Sequence, residues 1–426
     1  MILLGEKIVI VGSGCFGIST AYHLLKRGYT DVTVLDRSST LPAQDAASND
    51  FNRIIRSSYS DRFYAELARD AILSWKFEEK WGDTYHESGV VVLGLSGSGS
   101  ASYADDSYVN DIALGANVQQ LVNGDAIRSV FPAHAVTSSF QQYSGYLNRD
   151  GGWANASKGL SLMISKVRAL NGKICPEKQV KTIIQQGGKA TGVECTDGDV
   201  FSAALVILAT GSWTPSAFPD LDLGNKCLAT GQCIAMIQLS EDEANSYRDC
   251  PVVLNFASGF YVFPPNENNV IKMAMHGAGY TNMKAGISTP RTVISDPDRG
   301  LCIPKIALQE LRQQLKNVYP ELAQKPFSST RLCWYNDTSD GDWIISRHFT
   351  LDSLVLATAG NGHAYKFLPV IGRLVADLVQ DKLDPLLVQK FAIDRTPVHS
   401  DLSRSGQVVE LDLNQLCTPS DLLNLL

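Results

Sequence analysis

The segment that most limits the fold is Lys7–Val11 and the Gly12-Ser-Gly14-Cys-Phe-Gly17 that follows it. A β-branched run predicts a strand. Ile18, Ala21, Tyr22 and Leu25 then fall at helical spacing until Gly28 stops the helix. A second run, Asp31–Asp36, ends in an acid 24 residues after Gly12. The glycines of such a strand–turn–helix permit a tight turn and close backbone approach to a pyrophosphate. The helix N-terminus offsets the phosphate charge, and Asp36 is placed to accept hydrogen bonds from ribose hydroxyls. The plainer reading is a glycine turn with no ligand, against which the full strand–helix–strand–acid context argues. The fingerprint alone does not choose between NAD and FAD.

Further along, Leu205–Thr210 and Leu354–Ala357 are short apolar runs, typical of buried parallel strands. With the runs near residues 8 and 34 they predict one α/β sheet assembled from distant pieces. Phe63–Trp81, Ala154–Asn171 and Ile306–Val318 predict helices, and Ile174–Glu194 predicts a hairpin. Ser96–Ser107, rich in Ser, Gly and Asp, predicts a mobile surface loop. Residues 230–280 alternate and predict an antiparallel sheet. The last 30 residues carry no clear pattern. The expected fold class is α/β (mixed α+β): a Rossmann-type cofactor domain with an inserted mixed β-sheet substrate domain. We place the first in 1–90, 150–225 and 325–385, the second in 91–149 and 226–324, and a C-terminal extension in 386–426.

Composition narrows the function. Of 426 residues 44% are hydrophobic and 19% charged, an ordinary globular balance, and the net charge is −7. An acidic chain argues against nucleic acid or an acidic membrane as partner. No apolar run is long enough to cross a membrane. Met1–Val11 has no basic leader and reads as a strand. The nine cysteines show no CxxC and no metal spacing, so no metal is expected; a reducing compartment with buried thiols accounts for them.

Two features tilt the cofactor toward FAD: the N-terminal position of the glycine motif, and the return of the same sheet near residue 356, whose strand–glycine–helix can present its dipole to a flavin ring. Five segments then resemble, in order, the flavin amine oxidases of the sarcosine, pipecolate, saccharopine and fructosyl amino acid oxidase group, within the D-amino-acid-oxidase-like fold. They are Ser48-Asn-Asp-Phe-Asn52-Arg53-Ile-Ile-Arg56, Ala209-Thr-Gly211-Ser-Trp213, Tyr261 through Lys272 to His276, Arg331-Leu-Cys333-Trp-Tyr335, and Gly360-Asn-Gly362-His363-Ala-Tyr-Lys366.

The resemblance implies FAD bonded covalently through Cys333, whose bland reading is a buried thiol. It implies oxygen activation at Lys272, otherwise a solvent-facing strand lysine. Arg53 would lie on the flavin face, Tyr261 and His276 would shape the substrate pocket, and Arg56 and Lys366 would hold a substrate carboxylate; an ordinary ion pair is the other reading of either arginine. Further cofactor contacts are implied at Gly12, Gly14, Cys15, Phe16, Gly17, Asp36, Arg37, Ser48, Asn52, Val180, Ala209, Gly211, Trp213, Gly360, Gly362, His363 and Lys366.

The activity implied is oxidation of a secondary amine or N-substituted amino acid to an imine, with oxygen reduced to hydrogen peroxide. An oxidase making a reactive iminium for an alkaloid, and a fructosyl amino acid oxidase, are the alternatives; an NAD-linked dehydrogenase and a non-catalytic flavin-binding protein stand further off. The Ser-Asn-Asp-x-Asn pattern leans to the fructosyl and saccharopine branch, whereas Arg56 does not. Small-molecule substrate and oxygen are the expected partners, for a monomer or weak homo-oligomer. Cytosol is the expected address; the peroxisome is the second, although Asn424-Leu-Leu is not a Ser-Lys-Leu signal.

Overall fold

The computed structural model describes residues 2–95, 99–397, 403–404 and 406–423. Four apolar runs meet as expected in a six-stranded sheet. Its order is Ile344–Arg347, Leu354–Thr358, Leu205–Leu208, Ile8–Val11, Val32–Leu35 and Lys173–Cys175. All pairings are parallel except at the Ile344–Arg347 edge. The inner strands are buried on both faces, which is why they read as continuous apolar runs rather than alternating ones. The helix Cys15–Lys26 packs on this sheet beside Ile371–Val379. Their approach is close: a Cβ on Gly372 would lie 2.2 Å from the Ser19 carbonyl oxygen, and Ser19 Oγ accepts the Gly372 amide at 3.0 Å.

The second sheet has ten strands. Leu228–Gln238 is its longest, pairing antiparallel with Val270–Met275 on one side and Ser329–Asp337 on the other. Val252–Asn255 joins in parallel to Val90–Leu95. Period-2 alternation gives this sheet two distinct faces. Ile271, Met273, Val262 and Leu332 point to a core closed by the helix Lys305–Lys316 through Leu308, Leu311 and Leu315. Tyr261, Phe263, Ala274, Cys333 and Tyr335 point the other way, into an aromatic layer.

Three expectations are corrected. Ser96–Ser107 is largely not a loop: Gly99–Ala113 is a helix, with 96–98 outside the described residues. Tyr103, Ser107 and Asp111 recur every four residues and are all buried, so polar residues make its inner stripe. Phe63–Trp81 divides into Arg62–Trp75 and a short turn Glu78–Trp81, because extended Phe77 turns the chain and brings the Trp75 and Trp81 rings to 4.3 Å. Segments 325–385 and 386–426 do not each keep to one unit. Ser329–Asp337 belongs to the ten-stranded sheet. From the C-terminal residues, Phe391 enters the core beneath the six-stranded sheet, and Leu411, Leu416 and Cys417 enter the other.

Replacement Gly372→Ala is expected to lower stability by about 1–3 kcal/mol, the usual cost of overpacking, because the added methyl meets backbone. Denaturant unfolding of the two proteins side by side checks this; equal midpoints would contradict the packing described.

Candidate active site

The glycine turn opens onto a cleft lined by residues of both sheets. Of the residues named from sequence, Gly12, Gly14, Cys15, Phe16, Asp36, Arg37, Ser48, Arg53, Val180, Ala209, Gly211, Trp213, Gly360 and Gly362 line it. Gly12 has φ +103°, and a Cβ there would lie 2.5 Å from the Ala209 carbonyl oxygen. Gly17 stands behind the turn, where a Cβ would meet the Gly12 oxygen at 1.9 Å. Gly14 caps the helix without a side-chain bond, so the first-turn amides face the cleft. Asp36 sits between two amides, accepting from Ser13 at 2.8 Å and Ser38 at 2.9 Å. At the same end Arg37 lies over the Trp213 ring at 4.2 Å.

At the other end the cleft meets the aromatic face of the ten-stranded sheet. Cys333 is fully buried, with the Arg53 Nη2 3.3 Å from its sulfur. Lys272 is fully buried and projects from the same face, between the Phe51 and Phe263 rings at 5.3 and 5.1 Å. Its ammonium donates to Asp50 Oδ2 and the Asn52 carbonyl, each at 2.8 Å. Asp50 Oδ2 also takes Arg53 at 3.0 Å and lies 3.8 Å from Arg331. Burial pushes the Asp50 carboxyl up, but Lys272, Arg53 and Arg331 outweigh it and hold it below the usual carboxylate range. Burial lowers Lys272, Asp50 raises it and Arg53 lowers it, leaving it at about 7. Burial also raises the Tyr261 hydroxyl well above its ordinary value, with Tyr335 adding and Arg53 opposing.

Arg56 and Lys366 converge on Tyr59. The Arg56 guanidinium lies over its ring at 4.5 Å and donates to the Ser58 carbonyl; Lys366 Nζ donates to its hydroxyl at 2.8 Å and to the His363 carbonyl at 2.7 Å. Among the described residues no carboxylate pairs with either cation. Burial, with Arg56, holds Lys366 well below the ordinary lysine value. His276, buried and facing Arg404, Arg56, His363 and Lys366, is held neutral.

Five of the predicted cofactor residues lie off the cleft wall: Gly17, Asn52, Cys333, His363 and Lys366. The His363 ring turns into a cluster with Tyr64 and Trp343, 5.0 and 5.4 Å away, and bonds Tyr59 and Gly341, which leaves its backbone in the glycine turn.

Three site residues had no role in the sequence reading. Asp50 stood inside a quoted motif, and its acid between an asparagine and two arginines was the available signal. Tyr59 follows Arg56 by three. Arg404, from the tail that showed no pattern, bonds the Asn361 carbonyl and Asp337 (2.7 Å), while Ser403 lies 3.2 Å from His276 Nε2.

The residues present fit a flavin dinucleotide. The turn has no room for a Cβ, and Gly362, at φ +68°, has none either, since a Cβ would lie 2.1 Å from the Tyr335 ring. Fully buried Asn52 has both amide atoms without a partner among the described residues. A family model described as FAD dependent oxidoreductase matches residues 7–378. The chain belongs to this family. L-saccharopine oxidase of Schizosaccharomyces pombe is 29% identical over 395 residues, covering 88% of this chain and 90% of that protein. An amino acid oxidase of Aspergillus flavus is 26% identical over 88% and 92% of the two chains. The crystal structure of the deglycating fructosamine oxidase Amadoriase II of Aspergillus fumigatus superposes with a TM-score of 0.83 at 28% identity, over 98% of each chain. The cofactor of this FAD-dependent family member is FAD, and the NAD-linked alternative falls.

In this oxidoreductase Asp50 is the anion shared by Lys272, Arg53 and Arg331. Asp50→Ala, which strands the buried Lys272 charge, is expected to cost about 3–5 kcal/mol. Urea unfolding of the holoprotein measures it, and a loss below about 1 kcal/mol would mean the pair is not a net support.

Proposed function

We propose that this chain oxidises the C–N bond of an N-substituted amino acid with oxygen, giving an imine and hydrogen peroxide. The observation that carries the reading is the pair of buried basic side chains, Arg56 and Lys366, on one tyrosine. A buried guanidinium without a counter-charge is costly, and burial beside it holds Lys366 low; a substrate carboxylate would pair with the first, favour the charged form of the second, and take charge-assisted hydrogen bonds from both. Clamped there, the amino acid presents its Cα–N region to the aromatic face bearing Tyr261, Tyr335 and Cys333. Neutral His276 and the two tyrosines exclude water without introducing an acid.

FAD, when bound, would supply the two-electron acceptor: the substrate carbon gives up a hydride and its nitrogen a proton, and the same two electrons, with two protons, take oxygen to hydrogen peroxide. The chain's own share is orientation and electrostatics. Lys272 supplies a positive charge where oxygen is reduced. The imine then hydrolyses to an amine and a carbonyl compound. L-Saccharopine and a fructosyl amino acid are the first substrates to test, being the kinds named for the relatives above. A covalent bond from Cys333 Sγ to the flavin is part of the proposal. It is supported by the sulfur's burial on the same face of the sheet as Tyr335, which lines the cleft, and by Arg53 Nη2 3.3 Å from it.

Acid precipitation of purified protein tests the link. The yellow colour should stay with the pellet, and in Cys333→Ser it should move to the supernatant. Colour in the supernatant of both would remove the covalent bond while keeping the flavin.

Lys272→Met should leave reduction by substrate intact and slow reoxidation on the order of 100-fold. The cationic form exists below its pKa. The rate with oxygen should therefore fall as pH rises through about 7. Asp50→Asn removes the group that raises that pKa and should move the fall to lower pH. Stopped-flow reoxidation across pH measures all three proteins; a flat profile in the parent would sink the role given to Lys272.

A further inference from the structure

The helix Gly99–Ala113 buries an acid that the reaction as drawn does not use. Asp111 is 0% exposed. Its Oδ1 accepts from Ser57 Oγ at 2.5 Å, and its Oδ2 accepts from Tyr146 Oη and Asn148 Nδ2, each at 2.9 Å. Asn148 Nδ2 also reaches Ser57 Oγ at 2.9 Å. No cation bonds Asp111 among the described residues. Burial raises its carboxyl, and these three hydrogen bonds pull it back without fully compensating. A buried acid of this kind costs stability that an apolar side chain would not. Packing alone does not explain it.

What the acid grips is the segment between the two halves of the carboxylate clamp. Ser57 follows Arg56, and the Ser58 carbonyl accepts from the Arg56 guanidinium, so the position of residues 57–58 steers that side chain. The preceding helix residue, Asn110, holds the other side of the same turn. Its Nδ2 donates to the Tyr59 and Ser60 carbonyls at 3.0 and 2.9 Å. Tyr59 is the ring beneath Arg56 and the acceptor for Lys366. Two turns earlier on the same helix face, Tyr103 packs on Phe256 at 4.4 Å, and Arg56 lies over that ring too, at 5.3 Å. One helix thus braces Arg56 from its backbone and from the aromatic ring under it.

We propose that Asp111 is a positioning residue for substrate carboxylate recognition: through Ser57 it fixes the 57–60 turn that aims Arg56 and sets Tyr59 between Arg56 and Lys366. The inference rests on the proposed function, since it assigns Asp111 to the clamp named there. A buried hydrogen bond to a charged acceptor is lost when Asp111 becomes neutral, and its consequence should fall on the carboxylate of the ligand rather than on the reacting C–N bond.

The test uses the FAD-loaded full chain and two variants, Asp111→Asn and Ser57→Ala. Benzoate serves as the carboxylate probe, its binding followed by the flavin absorbance change. Turnover is compared for the best amino acid substrate and for the matching amine that lacks the carboxylate. Asp111→Asn should weaken benzoate and raise KM for the amino acid by about tenfold, the scale of one lost charge-assisted hydrogen bond. kcat/KM for the carboxylate-free amine should stay within about twofold. Ser57→Ala should act in the same direction, and the double variant should be no worse than Asp111→Asn alone, because both break one connection. Should Asp111→Asn fail to fold, Ser57→Ala carries the comparison by itself. Equal losses on both substrates would mean a merely structural acid and overturn the proposal, as would a benzoate affinity in Asp111→Asn equal to that of a parent that binds it. A parent that binds no benzoate and oxidises no amino acid would overturn the clamp and this inference together.

Discussion

The arrangement of this molecule turns on one carboxylate oxygen. Asp50 Oδ2 receives Lys272 from one strand of the ten-stranded sheet and Arg53 from the segment beside the cleft, with Arg331 from a second strand close by. These groups come from three separate stretches of chain, and none is well hydrated where it lies. Removing water from four charges is expensive unless they answer one another at short range. The acid therefore holds the 46–53 segment against the large sheet. Arg331 adds to it by donating to the Asn49 and Ala46 carbonyls at 2.8 and 3.1 Å.

Around this hub the charges are graded along the cleft. At the glycine-turn end the positive elements are a helix N-terminus and Arg37, matched by Asp36 and Asp45. In the middle, Lys272 and Arg53 are matched by Asp50. At the far end Arg404 is matched by Asp337, while Arg56 and Lys366 have only dipoles and aromatic faces. Low polarity at that end strengthens whatever ion contact is made there.

Legibility of these parts from sequence followed the range of the interactions. The glycine turn, its strand and helix, and Asp36 were readable because they lie within about 30 residues and each has a local backbone reason. The apolar runs near 207 and 356 were readable as partners because burial on both faces leaves no alternation. The Gly99–Ala113 helix was missed because its inner stripe is polar, satisfied by Ser57, Tyr146 and Asn148, which lie on other elements. Arg404 was missed because its partners, Asp337 and Asn361, stand 67 and 43 residues away in the chain.

The amino-acid sequence by itself determined that a dinucleotide turn opens this chain, that its sheet is gathered from distant runs, and which residue types could do flavin chemistry. Those are consequences of backbone freedom at glycine, of side-chain periodicity and of composition. Only the tertiary structure decided which face of the large sheet meets the cleft. A strand changes face with every residue, so a slip of one in any of their three strands would have turned Cys333, Tyr261 or Lys272 away. It also decided that Asp50 answers Lys272, and that Asp111 stands behind Arg56. Those pairings are between distant segments, where the energy of contact depends on a position in space that no local pattern encodes.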